Sequence, residues 1–214
     1  MSVNIVDISP EIFPEVPGCP ALAIKREVRS AAIEFCLRSK YWRADLTAIN
    51  SVASQGEYTL TAPTDSVFIE SLAVKHNDIL LEWTTERELD EDSSTWRTDT
   101  SNQASSVIAT AENKIMLYPA PESSVAGVIK VKVVLKPSTT ATTLPSELRD
   151  QYLDAITAGT KSRLMAMPGQ AWSNPQMSVY YRGVFDRGID DARMAVAKYG
   201  AYRKSARIIA KGYS

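Results

Sequence analysis

The sequence predicts an α+β fold. A helical bundle, made from an N-terminal helix and a C-terminal helical hairpin, carries an inserted antiparallel β region and ends in a C-terminal extension. Three observations predict it. Apolar residues recur at helical spacing after Pro20, with Ile24, Val28, Ala31, Ala32, Phe35 and Trp42 on one arc. Alternation with period two governs Val128 to Lys136, where Ile129, Val131, Val133 and Leu135 oppose Lys130, Lys132 and Lys136. Helical spacing then returns after Pro145, so packing the first helix on the last two leaves the strands as an insertion. The expected division is 1–44 with 145–200 for the bundle, 45–144 for the β region and 201–214 for the extension.

In chain order, the opening is irregular. Ser9-Pro10-Glu11 can cap a short turn, but Pro14, Pro17 and Pro20 forbid a long helix. The first helix runs to about Trp42 and carries a second stripe, Leu22, Ile33 and Leu37, which the core does not need. From Leu46 to Pro137 short β runs alternate with turns. His76-Asn77-Asp78 reads as a hairpin turn into Ile79-Leu80-Leu81-Glu82-Trp83, and Glu112-Asn113 as a second turn between Val107-Ile108 and Ile115 to Tyr118. Two segments read as loosely held: Ser93 to Ser106, after the acidic run Glu86, Glu88, Asp90, Glu91 and Asp92, and the Ser/Thr-rich 138–143. The acidic run itself reads as a solvated loop. Ser146 is the expected N-cap of a helix placing Leu148, Tyr152, Ala155, Ile156 and Gly159 on one arc, which Pro168-Gly169 ends. Asn174-Pro175 opens the last helix, with Tyr181, Val184, Phe185, Ile189, Ala192, Val196 and Tyr199 inward and Gly200 as C-cap. Gly188, Ala192 and Ala195 on that face allow another helix to approach closely.

The 214 residues carry a formal net charge of −1, 44% apolar and 23% charged residues. No global charge draws the chain to nucleic acid or membrane, and no apolar run approaches the length of a membrane span. The two cysteines form no CxxC pair; Cys36 falls in the helical apolar pattern and reads as core filler. With His76 the only histidine, His-based triads and multi-His zinc sites are excluded. Phosphate-loop, dinucleotide and nucleophile-elbow motifs do not occur. The expectation is no catalytic residue, no metal and no cofactor, although carboxylate pairs alone can run hydrolysis. The extension is different: Arg203, Lys204, Arg207 and Lys211 span about 100° of a helical projection, and Tyr202, Ala206, Ile209 and Tyr213 take the opposite arc. Such a segment either frays as an ordinary terminus or folds as it docks, apolar face into a groove.

The run 22–42, with Ala31-Ala32-Ile33-Glu34-Phe35-Cys36 followed by Tyr41-Trp42, resembles the opening helix of tailed-bacteriophage head-to-tail adaptor proteins, the gateway or tail tubular A-like family. Gly56-Glu57-Tyr58-Thr59-Leu60 is similar to that family's first β segment. Ile115 to Pro121 looks like its strand followed by Pro-x-Pro, and Met167 to Pro175 like the joint between its last helices. One departure is that 96–109 lacks the Gly-x-Pro-x-x-Tyr element many relatives carry. The resemblance implies a structural virion protein, made in the host bacterial cytoplasm. It implies a dodecameric homo-oligomeric ring beneath the portal protein, extending the genomic DNA channel and receiving tail nozzle or tail fibre proteins, with no membrane partner. A C-terminal extension gripping the portal suits Tyr202, Arg203, Lys204, Ala206, Arg207, Ile209, Lys211 and Tyr213, and the second stripe (Leu22, Ile33, Leu37) is the candidate ring interface. The alternatives are a head-completion or neck protein of a long-tailed phage, a small nucleic-acid-binding protein acting through its basic tail, and a carboxylate hydrolase.

Overall fold

The computed structural model describes residues 2–201, with side chains as far as 198. These divide into two compact units, cut between Tyr41 and Trp42 and between Pro145 and Ser146.

The first unit is helical. After a short strand β1 (Ser2–Asn4), Ile5–Glu11 and Phe13–Glu15 wind as 3-10 helix. Asn4 caps the first of these by accepting from the Val6 N–H at 3.0 Å. The prolines do forbid an α-helix here, yet Ile5, Ile8, Ile12 and Val16 are all buried, so this stretch is core. α1 (Ala21–Ser39) starts after an extended Pro20 and ends on Lys40 in the left-handed conformation, whose N–H reaches the Cys36 carbonyl at 2.9 Å. The helix therefore stops three residues short of the expected Trp42. Ile24, Val28, Ala31, Ala32 and Phe35 are fully buried on the predicted arc, as is Cys36 beside it, whereas Trp42 lies beyond the helix and packs, partly buried, in the second unit.

α3 (Ser146–Met165) and α4 (Pro175–Ala201) form the hairpin. α3 takes in Ser146 as its first residue, rather than as a cap outside it, and bends at Tyr152, whose φ and ψ are −132° and 24°. Asn174 caps α4 as expected: its Oδ1 accepts from the Met177 N–H at 3.1 Å. Gly200 lies inside α4, so it is not the C-cap. The close helix approach is real. A Cβ on Gly188 would lie 2.4 Å from the Cβ of Ala155, and one on Gly159 would lie 2.7 Å from the Phe185 ring. Phe185 also meets Phe35, ring centroids 6.4 Å apart, which ties the hairpin to α1.

The second unit is a pair of four-stranded sheets. One has the order β2 (Arg43–Asp45), β11 (Ile129–Pro137), β4 (Ser66–His76), β5 (Ile79–Leu80). The other runs β3 (Glu57–Thr59), β9 (Lys114–Tyr118), β8 (Ser106–Ala111), β6 (Glu82–Trp83). Both main ladders, β11 on β4 and β8 on β9, are antiparallel as predicted. Two short pairings are parallel, β6 on β8 and β10 (Ala120–Pro121) on β7 (Thr100–Ser101). The strand β12 (Thr143–Pro145) closes the insertion. Ile129, Val131, Val133 and Leu135 are buried as the alternation required, and they pack with Tyr58, Phe68, Val107, Ile115 and Leu117. Val134 is buried as well, on the opposite face of the strand, and the β11–β4 ladder is irregular on either side of Val133-Val134.

Three expectations fail in this unit. His76 is the last residue of β4, not a turn residue; Asn77 and Asp78, with φ of 50° and 64°, make the turn alone. The acidic run is a helix, α2 (Glu86–Asp92), held by a capping box between Thr85 and Glu88. The segment after it is not loose: Trp96–Thr98 is 3-10 helix, and Trp96 is buried beside Leu89 and Ile108. Its indole N–H donates to Asp90 at 2.8 Å. The apolar Leu89 within the charged run packs against Trp96 and Ile108 and so ties the two segments together.

Candidate functional site

Reactive side chains are shut away or engaged in the described residues. Cys36 is fully buried and its thiol is pushed far up by desolvation. Cys19 is buried too, and burial together with the Glu27 charge raises it. His76 is buried, its Nδ1 accepting the Ala104 N–H at 3.1 Å, and desolvation lowers its pKa. Among the described residues no group of three or more His, Cys, Asp or Glu is placed to hold a metal ion. None of their helices is long and apolar enough to cross a membrane.

What the helical unit does present is uncovered apolar surface on a charge-stitched frame. The frame centres on Glu34. Its carboxylate accepts from Arg182 at 2.5 Å, from Arg163 at 2.5 Å and from Arg38 at 3.1 Å. Arg38 also meets Asp186 at 2.5 Å, and Arg193 donates to the Arg38 carbonyl at 2.8 Å. One side chain of α1 thus binds both helices of the hairpin. Burial alone would raise the Glu34 carboxyl, but the three guanidinium groups outweigh it and hold it down at about 2. A second clamp joins Glu15 to Lys161 at 2.6 Å and to the Tyr181 hydroxyl. The bond to the Glu15 carboxylate, with some desolvation, raises that hydroxyl to about 12. These ion pairs fix which faces of α1 and α4 remain outward.

On α1 the outward face is the second stripe. Leu22 is 80% exposed and Leu37 41% exposed, with Ile33 half-buried between them. Leu22 lines an open cleft with Pro20, Ala23 and the stems of Lys25, Arg26 and Arg29. The structure therefore brings Leu22, Ile33 and Leu37 onto one helix face, outside the core. The extension residues Tyr202, Arg203, Lys204, Ala206, Arg207, Ile209, Lys211 and Tyr213 lie outside the described residues. Sequence reasoning passed over two features. The Glu34 hub joins residues from three helices, and no local signal marks it. The outward face of α4, with Val179 74%, Tyr180 58% and Met194 63% exposed, could have been found by projecting the helix opposite Phe185 and Ile189.

Large apolar side chains left open on a helical frame are the kind of surface that meets another chain. The SU10 adaptor protein family model matches residues 14–208, and the chain belongs to that family, a family of phage head-to-tail adaptors. It is accordingly a structural component of a bacteriophage virion. No curated protein matches the chain.

Proposed function

We propose that the chain is the repeating subunit of an adaptor ring, dodecameric, that joins the portal protein to the tail and extends the channel through which genomic DNA is retained and ejected. The family match over residues 14–208 carries this reading. In it, the bundle halves 1–44 and 145–200 form the ring body, and 45–144 is an inserted domain facing the nozzle or fibre proteins. Leu22, Ile33 and Leu37 lie in the ring interface, a role supported by their position outside the protomer core. The segment 201–214 docks on the portal, basic on one arc and apolar on the other, and its ordering entropy is offset by groove burial. No covalent chemistry is involved.

The test mixes the purified chain with its phage's portal, followed by size exclusion and negative-stain microscopy. A ring capping the portal with the portal's symmetry is the expected result, absent for a chain ending at Gly200. Leu22→Glu with Leu37→Glu should leave the helical signal intact and abolish the ring. Absence of any complex at every salt concentration, with tight salt-dependent DNA binding instead, would replace the adaptor reading with nucleic-acid binding through the basic tail.

A further inference from the structure

A closed ring needs two different, complementary surfaces on every subunit, because each subunit meets one neighbour with its front and the other with its back. The α1 face carrying Leu22, Ile33 and Leu37 is one of them, and the identity of the second rests on that ring reading. We infer that the second is the outward face of α4, and that the occupant of the α1 cleft is α4 of a second copy of this chain.

Three observations converge on that face. First, at 100° per residue Val179, Gly183, Asp190, Met194 and Ala197 fall within an arc of about 60°, opposite the buried Phe185, Ile189 and Ala192. Val179 and Met194 are 74% and 63% exposed, which is far more than a protomer needs to leave open.

Second, Gly183 sits in the middle of this arc, in ordinary helical conformation, with nothing within 4 Å of where a Cβ would stand. Two other glycines of the hairpin helices, Gly159 and Gly188, are explained by the ring and methyl that press on them. Gly183 has no such internal reason, although a mid-helix glycine is unfavourable relative to alanine. It leaves a bare notch in the helix surface, of the kind another chain's side chain can enter.

Third, the charges match. The α1 cleft is rimmed by Lys25, Arg26 and Arg29; Arg26 bonds to Glu27 at 2.9 Å but stays 65% exposed. The α4 face carries the exposed Asp190 and Asp191 on either side of Met194. Asp190 is 63% exposed and, among the described residues, pairs with Arg193 at 3.4 Å. Of the cations near this face, Arg187 turns back along its own helix to donate to the Gly183 carbonyl at 3.3 Å, and Lys198 lies a turn beyond Met194. An α1-to-α1 contact would set Lys25, Arg26 and Arg29 against their own copies. An α4-to-α4 contact would do the same with Asp190 and Asp191. α1 against α4 sets the basic rim of one against the acidic pair of the other around apolar centres, and that contact is head-to-tail, as a ring requires.

The experiment uses the full chain with its portal and reads rings by microscopy and size exclusion, with thermal unfolding as a check on folding. Asp190→Lys with Asp191→Lys should melt as the parent does and form no ring, and Lys25→Asp with Arg26→Asp should behave likewise. All four substitutions in one chain should restore the ring, because the charge pattern is inverted on both sides. Gly183→Gln should fold and fail to assemble. Rings that persist in either charge-reversed variant, or a four-fold variant that stays dispersed, overturn the pairing while the adaptor reading stands. A parent chain that never forms a ring on the portal removes both.

Discussion

Two glycines in α4 give a sharp test of the packing, because the same substitution should act in opposite directions five residues apart. At Gly188 an added Cβ lands 2.4 Å from the Cβ of Ala155 and 3.6 Å from its Cα. Carbon atoms are comfortable at about 3.5–4.0 Å, so α3 and α4 must part by roughly 1 Å. The obstructing atoms belong to an alanine and its backbone and cannot rotate away. Overpacking of this kind costs about 1–3 kcal/mol, and the absence of a rotameric escape puts this site at the upper end. Helix propensity returns about 1 kcal/mol, leaving Gly188→Ala about 2 kcal/mol less stable than the parent. At Gly183 the Cβ meets nothing, so Gly183→Ala keeps the propensity gain and is about 1 kcal/mol more stable. Each kcal/mol moves the midpoint by about 2–4 °C in a chain of this size. The two variants should therefore melt roughly 6–12 °C apart by the far-UV helical signal, with unchanged denaturant slopes. Gly188→Ala melting at or above Gly183→Ala would refute the close helix approach.

Further outcomes follow from the charges. Glu34→Gln leaves Arg38, Arg163 and Arg182 around a neutral amide and should cost roughly 1–3 kcal/mol in chemical unfolding of the helical unit. The Glu34 carboxyl is depressed from 4.5 to about 2, so its contribution is present above pH 4.5 and is lost as pH falls toward 2. The Gln variant should show a flatter acid limb over that window, and an unchanged one would count against the hub. In the β unit, His76 is neutral and its pKa is lowered by burial. The unfolded chain takes up that proton first, near 6.5, so stability is full above this pH and falls as the solution is acidified below it. Fluorescence of Trp83 and Trp96 should follow that loss, and His76→Gln should blunt it; identical acid profiles would clear His76 of the role.

The local elements were legible because their signals are local. The spacing of Ile24, Val28, Ala31, Ala32 and Phe35 is a property of one helix face. The alternation along Ile129 to Leu135 belongs to one strand, and Asn174-Pro175 is a cap written in two adjacent residues. Gly188 was legible as a point of close approach for the same reason, since a missing side chain on a buried arc has one common use. The capping box of Thr85 and Glu88 was equally local, but a run of carboxylates hid it, and only the burial of Leu89 against Trp96 and Ile108 makes the helix worth forming. The prolines spoke against an ordered N-terminus, whereas a 3-10 path satisfies them and still delivers Ile5, Ile8, Ile12 and Val16 to the core.

The sequence by itself determined the order of helix, strands and helical hairpin, and it set aside Leu22, Ile33 and Leu37 as residues the core does not use. Tertiary structure alone decided that His76 turns inward, since the register of β4 on β11 sets that face. It alone gathered Glu34, Arg38, Arg163, Arg182 and Asp186 into one cluster. Those residues are up to about 150 positions apart, and no periodicity links them. Chain folding, which brings three helices to one axis, is what turns scattered charges into a frame and leaves α1 and α4 with one open face each.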